Sequence, residues 1–96
     1  MITLFKDDTL EVKVEHHESR PGEAFMHCEV KDWNVKQYKR MIAIWDVCLE
    51  ELAKAGCRRV NSIIPKKDRK TRKFQTMFGL APTYETEDYV QYSMEV

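Results

Sequence analysis

Residues 34–56 read NVKQYKRMIAIWDVCLEELAKAG, and this stretch decides the fold. Tyr38, Met41, Ile42, Trp45, Cys48, Leu49 and Leu52 recur at helical spacing and make one broad apolar stripe. Lys39, Arg40, Asp46, Glu50 and Lys54 fall largely off it. Asn34 is the kind of residue whose side-chain oxygen takes up a free N–H at a helix start. Gly56 stands where a helix ends in a left-handed residue. A helix of this length between two β-rich runs is a crossover, which favours a right-handed β-α-β unit with its strands parallel.

Upstream, residues 1–5, 9–17 and 23–31 read as strands. Leu10, Val12 and Val14 alternate with Glu11, Lys13 and Glu15, one face for a core and one for water. Asp7-Asp8 and Arg20-Pro21-Gly22 are the turns, so these three strands should be antiparallel. Ala24, Met26, Cys28 and Val30 oppose Phe25, His27 and Glu29. Apolar groups on both faces make this third strand more central than the second. Downstream, Val60-Asn61-Ser62-Ile63-Ile64 is a short strand stopped by Pro65. A second helix runs from Asp68 as cap to Phe78, closed by Gly79, with Phe74, Met77 and Phe78 as its apolar face. Tyr84-Glu85 and residues 89–96 form a last hairpin turning at Glu87-Asp88. The expected class is α/β (α+β): a mixed, mostly antiparallel sheet with two helices, in the order β-β-β-α-β-α-β-β.

The chain has 96 residues, the size of one domain. Its formal charge is +0, which argues against coating nucleic acid through overall charge but leaves room for a local basic patch. No apolar run approaches the ~20 residues of a membrane span, so no membrane partner is expected. The first residues have no signal-peptide layout. Three cysteines fit reduced, mostly buried thiols better than a disulfide framework, so cytoplasm is the expected compartment.

From residue 23 onward the element order resembles the core half of the GNAT (GCN5-related) acetyltransferases. The family's second helix typically reads Asn-x-x-Ala-x-x-Phe-Tyr-x-x-x-Gly-Phe. Residues 68–80 here read DRKTRKFQTMFGL. Phe74, Gly79 and the apolar Leu80 match, whereas Asp68 replaces the asparagine, Thr71 the alanine and Gln75 the tyrosine that often serves as general acid. Ahead of the long helix the family carries an Arg/Gln-x-x-Gly-x-Gly/Ala loop whose backbone N–H groups approach the coenzyme A pyrophosphate. Residues 31–40, KDWNVKQYKR, contain no glycine, and Trp33 and Val35 would crowd that approach. The family's usual first strand and two amino-terminal helices are also missing. A glycine-free, Lys/Arg-rich helix start with an intact second half is similar to the GNAT-like domains of some bacteriophage internal virion proteins. That implies host cytoplasm or the virion as location.

In an active member the resemblance implies acetyl-CoA or CoA as cofactor, held at Val30, Lys36, Gln37, Asp68 and Phe74. Glu29 lies on the strand that supplies a general base in many of these enzymes, with a solvated strand carboxylate as the plain alternative. Tyr84, Tyr89 and Tyr92 are candidates for the missing acid, against an ordinary packing role. The most unusual local feature is basic. Lys66, Lys67, Arg69, Lys70, Arg72 and Lys73 leave residues 66–73 at +5, at a helix start where cations oppose the macrodipole. An anionic partner, nucleic acid or an acidic protein, would relieve that repulsion. Residues 84–96 carry −4 and offer partial local balance instead. His16, His17, His27 and Cys28 do not make a metal site, because adjacent strand residues point to opposite faces.

Three readings follow: a GNAT-like module without catalysis, binding through the basic helix start or associated with a virion; a reduced but active acyl-CoA N-acetyltransferase; and a small phage-type inhibitor working by protein contact. An open sheet face or edge would also suit a homodimer. The family comparison further expects two parallel strands, residues 23–31 and 57–64, to splay apart into a notch.

Overall fold

The computed structural model describes residues 2–32 and 34–96. Eight elements follow in the expected order: β1 (Ile2–Lys6), β2 (Leu10–His16), β3 (Glu23–Val30), α1 (Val35–Lys54), β4 (Arg59–Pro65), α2 (Arg69–Met77), β5 (Ala81–Glu85) and β6 (Tyr89–Glu95). The strands form one sheet in the order β1-β2-β3-β4-β6-β5. Only β3 and β4 are parallel; every other neighbouring pair is antiparallel. The sequence-based class, a mixed and mostly antiparallel sheet with two helices, is the observed one.

α1 begins where Asn34 accepts a hydrogen bond from the Gln37 N–H at 2.8 Å. Its buried face is Gln37, Met41, Trp45, Cys48 and Leu52, spaced by four, four, three and four residues. Each fully buried apolar side chain of this size contributes about 1.5–3 kcal/mol. The helix stops at Gly56, whose φ of +89° is left-handed. No atom would lie within 4 Å of an added Cβ there, so backbone geometry alone calls for glycine.

Both helices pack on one face of the sheet. Leu10, Val12, Val14, Ala24, Met26, Val60, Val90 and Tyr92 line that face as core. Trp45 joins the helices by donating from Nε1 to the Phe78 carbonyl at 3.2 Å, and Tyr38 stacks on Phe78 with its ring tilted against Phe74. The opposite face carries ion pairs, Glu11 with Lys6 and Lys13, and Glu23 with Arg20 and Arg59. Exposed pairs of this kind add little stability, but they keep the uncovered face wet. Asn61, 1 % exposed, is held there by Ser93, Glu23 and Arg59.

Candidate functional site

β3 and β4 pair only from Glu23 to Phe25 against Arg59 to Asn61. Beyond that point the two central strands part, as the family comparison leads one to expect. A cavity of about 550 Å³ fills the opening. Val12, Met26, Met41, Trp45, Ile64 and Phe78 give it an apolar wall, and Ser62, Thr71 and Gln75 give it polar points. His27, Glu29 and Lys31 line it from β3 and the strand's end.

Gln75 is the unusual group. The residue is 3 % exposed, and its Oε1 has no hydrogen-bond partner among the described residues. Leaving a buried acceptor unsatisfied costs about 1–3 kcal/mol. Helical spacing puts Gln75 one turn beyond Thr71 and one turn before Phe78, so all three turn toward the cavity. Cys28 lies beside it as a neutral thiol. Burial first, then the neighbouring Cys48 and Glu29, push its pKa up to about 12, so it is no nucleophile near neutral pH.

The sequence-based candidates are scattered relative to this opening. Glu29 lines the cavity as an exposed strand carboxylate, and Val30 lines it half-buried. Tyr84 and Tyr89 stand on the β5–β6 hairpin, 65 % and 49 % exposed, and neither borders the cavity. Tyr92 is buried and accepts from Arg72. Lys36 is exposed, and Gln37 is buried with its amide donating to Thr9. Asp68 caps α2 by accepting from the Thr71 N–H, and the Phe74 ring lies tilted against Tyr38. Trp33 lies outside the described residues. The sequence reading had noted Thr71 and Gln75 only as departures from a family motif. A carboxamide on the same helical face as Phe78 was the available signal.

The basic segment divides in two. Lys66 pairs with Glu85 at 2.9 Å. Arg72 donates to the Lys66 carbonyl at 2.9 Å and to the Tyr92 hydroxyl at 3.1 Å. Lys67, Arg69, Lys70 and Lys73 are exposed. Among the described residues no carboxylate forms an ion pair with any of these four. No metal-binding cluster occurs among the described residues, and no helix is long and apolar enough to cross a membrane.

No protein-family model and no curated protein matches this sequence. Solved structures do match the fold. The GNAT domain of S. lividans PAT superposes with a TM-score of 0.74 at 12 % identity, covering 92 % of this chain and 54 % of that one. Campylobacter jejuni N-acetyltransferase PseH in complex with acetyl coenzyme A gives 0.70 at 13 % identity, over 95 % and 63 %. A GNAT-family acetyltransferase from Bacillus anthracis gives 0.71 at 7 % identity, over 91 % and 58 %. The chain has the fold of the GNAT acetyltransferases, and it spans less than two thirds of the length of these proteins.

Such a fold raises acetyl-CoA as a ligand, and the two ends of the notch answer differently. The cavity between β3 and β4 is open and roomy. At the helix start beside it one N–H group is taken up from within, the Gln37 N–H by the Asn34 side chain, and ahead of the helix the Lys31 N–H goes to the Thr9 carbonyl at 3.0 Å. A phosphate at a helix start depends on N–H groups of this kind being available. Val35, 72 % exposed, stands at the same turn. The Asn34 cap takes one such group away from the phosphate-bearing part of that cofactor.

Proposed function

We propose that this protein is a non-catalytic, GNAT-like binding module that engages an anionic partner, nucleic acid or an acidic protein face, through the start of α2. One observation carries the reading. Lys67, in the turn before α2, and Arg69, Lys70 and Lys73, on α2, are exposed without acidic partners among the described residues, on a segment that Lys66 and Arg72 anchor to the hairpin. Held cations are pre-positioned, so little ordering is needed on binding. The self-capped start of α1 and the amide at position 75 support the absence of catalysis. The resemblance to phage virion proteins extends the reading to a virion-associated role.

Fluorescence anisotropy with a labelled DNA duplex, and with a poly-glutamate peptide, tests the binding surface. Saturable, salt-sensitive binding to either probe is expected. For duplex DNA, each alanine at Lys67, Lys70 or Lys73 should reduce the slope of log K against log salt by about 0.9. No binding to either probe, or binding that the triple variant leaves unchanged, rejects the surface. No heat on titration with coenzyme A or acetyl-CoA at millimolar ligand is expected and would reject the enzyme alternative, whereas turnover of acetyl-CoA would reject the non-catalytic part.

The second reading is an active acyl-CoA-dependent N-acetyltransferase. The presence of Glu29 at an open notch favours it. Thiol release from acetyl-CoA in the presence of primary amines, lost in Glu29→Gln, is its signature.

A further inference from the structure

Residues 81–89 are exposed without a break, a run that takes in all of β5 and the turn after it. A strand with one face on a core buries alternate residues. β5 buries none, yet it carries Tyr84, and Tyr89 follows across the turn. Tyr84 is paired with Gln91, and Gln91 and Tyr89 alternate with the core residues Val90 and Tyr92. Both exposed tyrosines therefore stand on the sheet face away from the helices. The turn between them adds Glu87 and Asp88, which form no ion pair among the described residues. Directly beside this hairpin lies the opposite charge. The Lys66 N–H donates to the Asp88 carbonyl and Lys66 Nζ pairs with Glu85, each at 2.9 Å. The acidic, aromatic hairpin and the basic start of α2 thus share a boundary.

We infer that a second copy of this chain covers this surface, the hairpin of each copy lying against Lys67, Lys70 and Lys73 of the other about a two-fold axis. Charge complementarity selects that occupant. Two patches of opposite sign that adjoin are self-complementary under a two-fold rotation through their boundary, the geometry of an isologous contact. The formal charge of +0 sets no long-range repulsion between copies. Exposed ion pairs alone add little, so Tyr84 and Tyr89 serve as the anchors, a residue type enriched at interfaces and at their hot spots. Extension of the sheet from copy to copy is not the mode. Pro82 offers no N–H and the register shifts between Pro82 and Tyr84, so the edge of β5 is blunted. The inference rests on the anion-binding reading of α2 and names the acidic protein face as the chain's own hairpin.

Sedimentation velocity on the full chain, over a concentration series at low and high salt, tests it. A monomer–dimer equilibrium is expected at low salt, with Kd on the order of 10 µM, weakening as salt screens the exposed charges. Lys70→Glu with Lys73→Glu, and separately Glu87→Lys with Asp88→Lys, should each weaken self-association at least tenfold. Mixed in equal amounts, the two variants should associate about as tightly as the unaltered chain, because every reversed patch again meets its opposite. Tyr84→Ser with Tyr89→Ser should weaken the dimer at least tenfold at either salt. A chain that stays monomeric at low salt overturns the inference. So does a dimer indifferent to both reversals, or a mixture that does not associate. Should a reversal variant fail to fold, the salt series and the tyrosine variant decide. The unaltered chain and the hairpin variant both keep the cations of α2, and this separates the two claims. Binding of poly-glutamate or duplex DNA by a chain that never dimerises sinks the inference alone, whereas no dimer and no binding to either probe sinks the reading beneath it as well.

Discussion

Replacing Arg72 by alanine should destabilise the protein, whereas the same change at Lys70, two residues away, should not. Arg72 donates to the Lys66 carbonyl and to the hydroxyl of Tyr92, a residue only 4 % exposed. Hydrogen bonds from a charged donor are worth about 1.5–3 kcal/mol when well sheltered and nearer 1 kcal/mol at half-buried sites such as this. Losing both gives about 2 kcal/mol. Tyr92→Phe removes one bond and should cost about 1 kcal/mol, and the double variant should fall short of additivity by about 1 kcal/mol. Lys70→Ala should stay within about 0.5 kcal/mol, as surface changes do.

Urea denaturation followed by far-UV circular dichroism reads these differences directly. A loss of about 2 kcal/mol moves the midpoint by roughly 1 M in a protein of this size, and lowers Tm by on the order of 10 °C. Slopes should not change, since the exposed surface on unfolding is the same. Equal midpoints for Arg72→Ala and Lys70→Ala, or strict additivity between Arg72→Ala and Tyr92→Phe, would refute the division of the basic segment into anchors and free cations. The proposed binding surface depends on that division.

Two further outcomes are expected. Burial pushes the Cys28 thiol pKa up to about 12 from an ordinary value of 9.0. The folded chain therefore holds a proton there that the unfolded chain gives up, so stability is complete below about pH 9 and declines as pH rises toward 12; Cys28→Ala should flatten that decline in urea titrations at stepped pH, and an unchanged profile would show that the thiol is not the group responsible. At Gly56, alanine should cost about 1 kcal/mol through its left-handed backbone angle alone. Asparagine, which tolerates that region better, should cost less, and equal losses for the two variants would mean that packing rather than φ sets the requirement.

Much of the fold was legible because its signals are local. The α1 stripe, the Asn34 cap and Gly56 all act within one or two turns of chain, and β2 announces its buried face by simple alternation. The basic segment was read as a single feature because sequence shows charge but not direction. On a helix, successive residues turn by about 100°, so the four cations of α2 cannot all point the same way, and Lys66 and Lys67 stand in the turn before it. Which ones are anchored depends on Tyr92 and Glu85, partners brought close only by the hairpin. Gln75 was hidden for the same reason. An amide on an apolar helical face looks like a surface residue until the strands beneath it are seen to part. Of the tyrosine candidates, Tyr84 lies on the edge strand β5 and Tyr89 and Tyr92 on β6, and none of the three borders the notch; that placement depends on strand order, which alternation along the chain does not reveal.

The notch and the phosphate cradle of a GNAT-type site are sustained by different kinds of interaction, which is why one can be present without the other. The divergence of β3 and β4 is a property of the whole sheet. Where the two strands part, β3 stays paired with β2 and β4 with β6. Closing it would mean repacking the core at several kcal/mol per large side chain. A phosphate cradle rests on a few backbone N–H groups and the glycines that expose them. An asparagine cap alone stabilises a helix start by about 1 kcal/mol, and it does so by engaging one of those groups. A chain under no demand to hold a pyrophosphate therefore gains by capping the helix, and gains nothing by filling the notch. What remains is an open apolar cleft with one amide turned into it, beneath a helix whose outward residues carry the free cations.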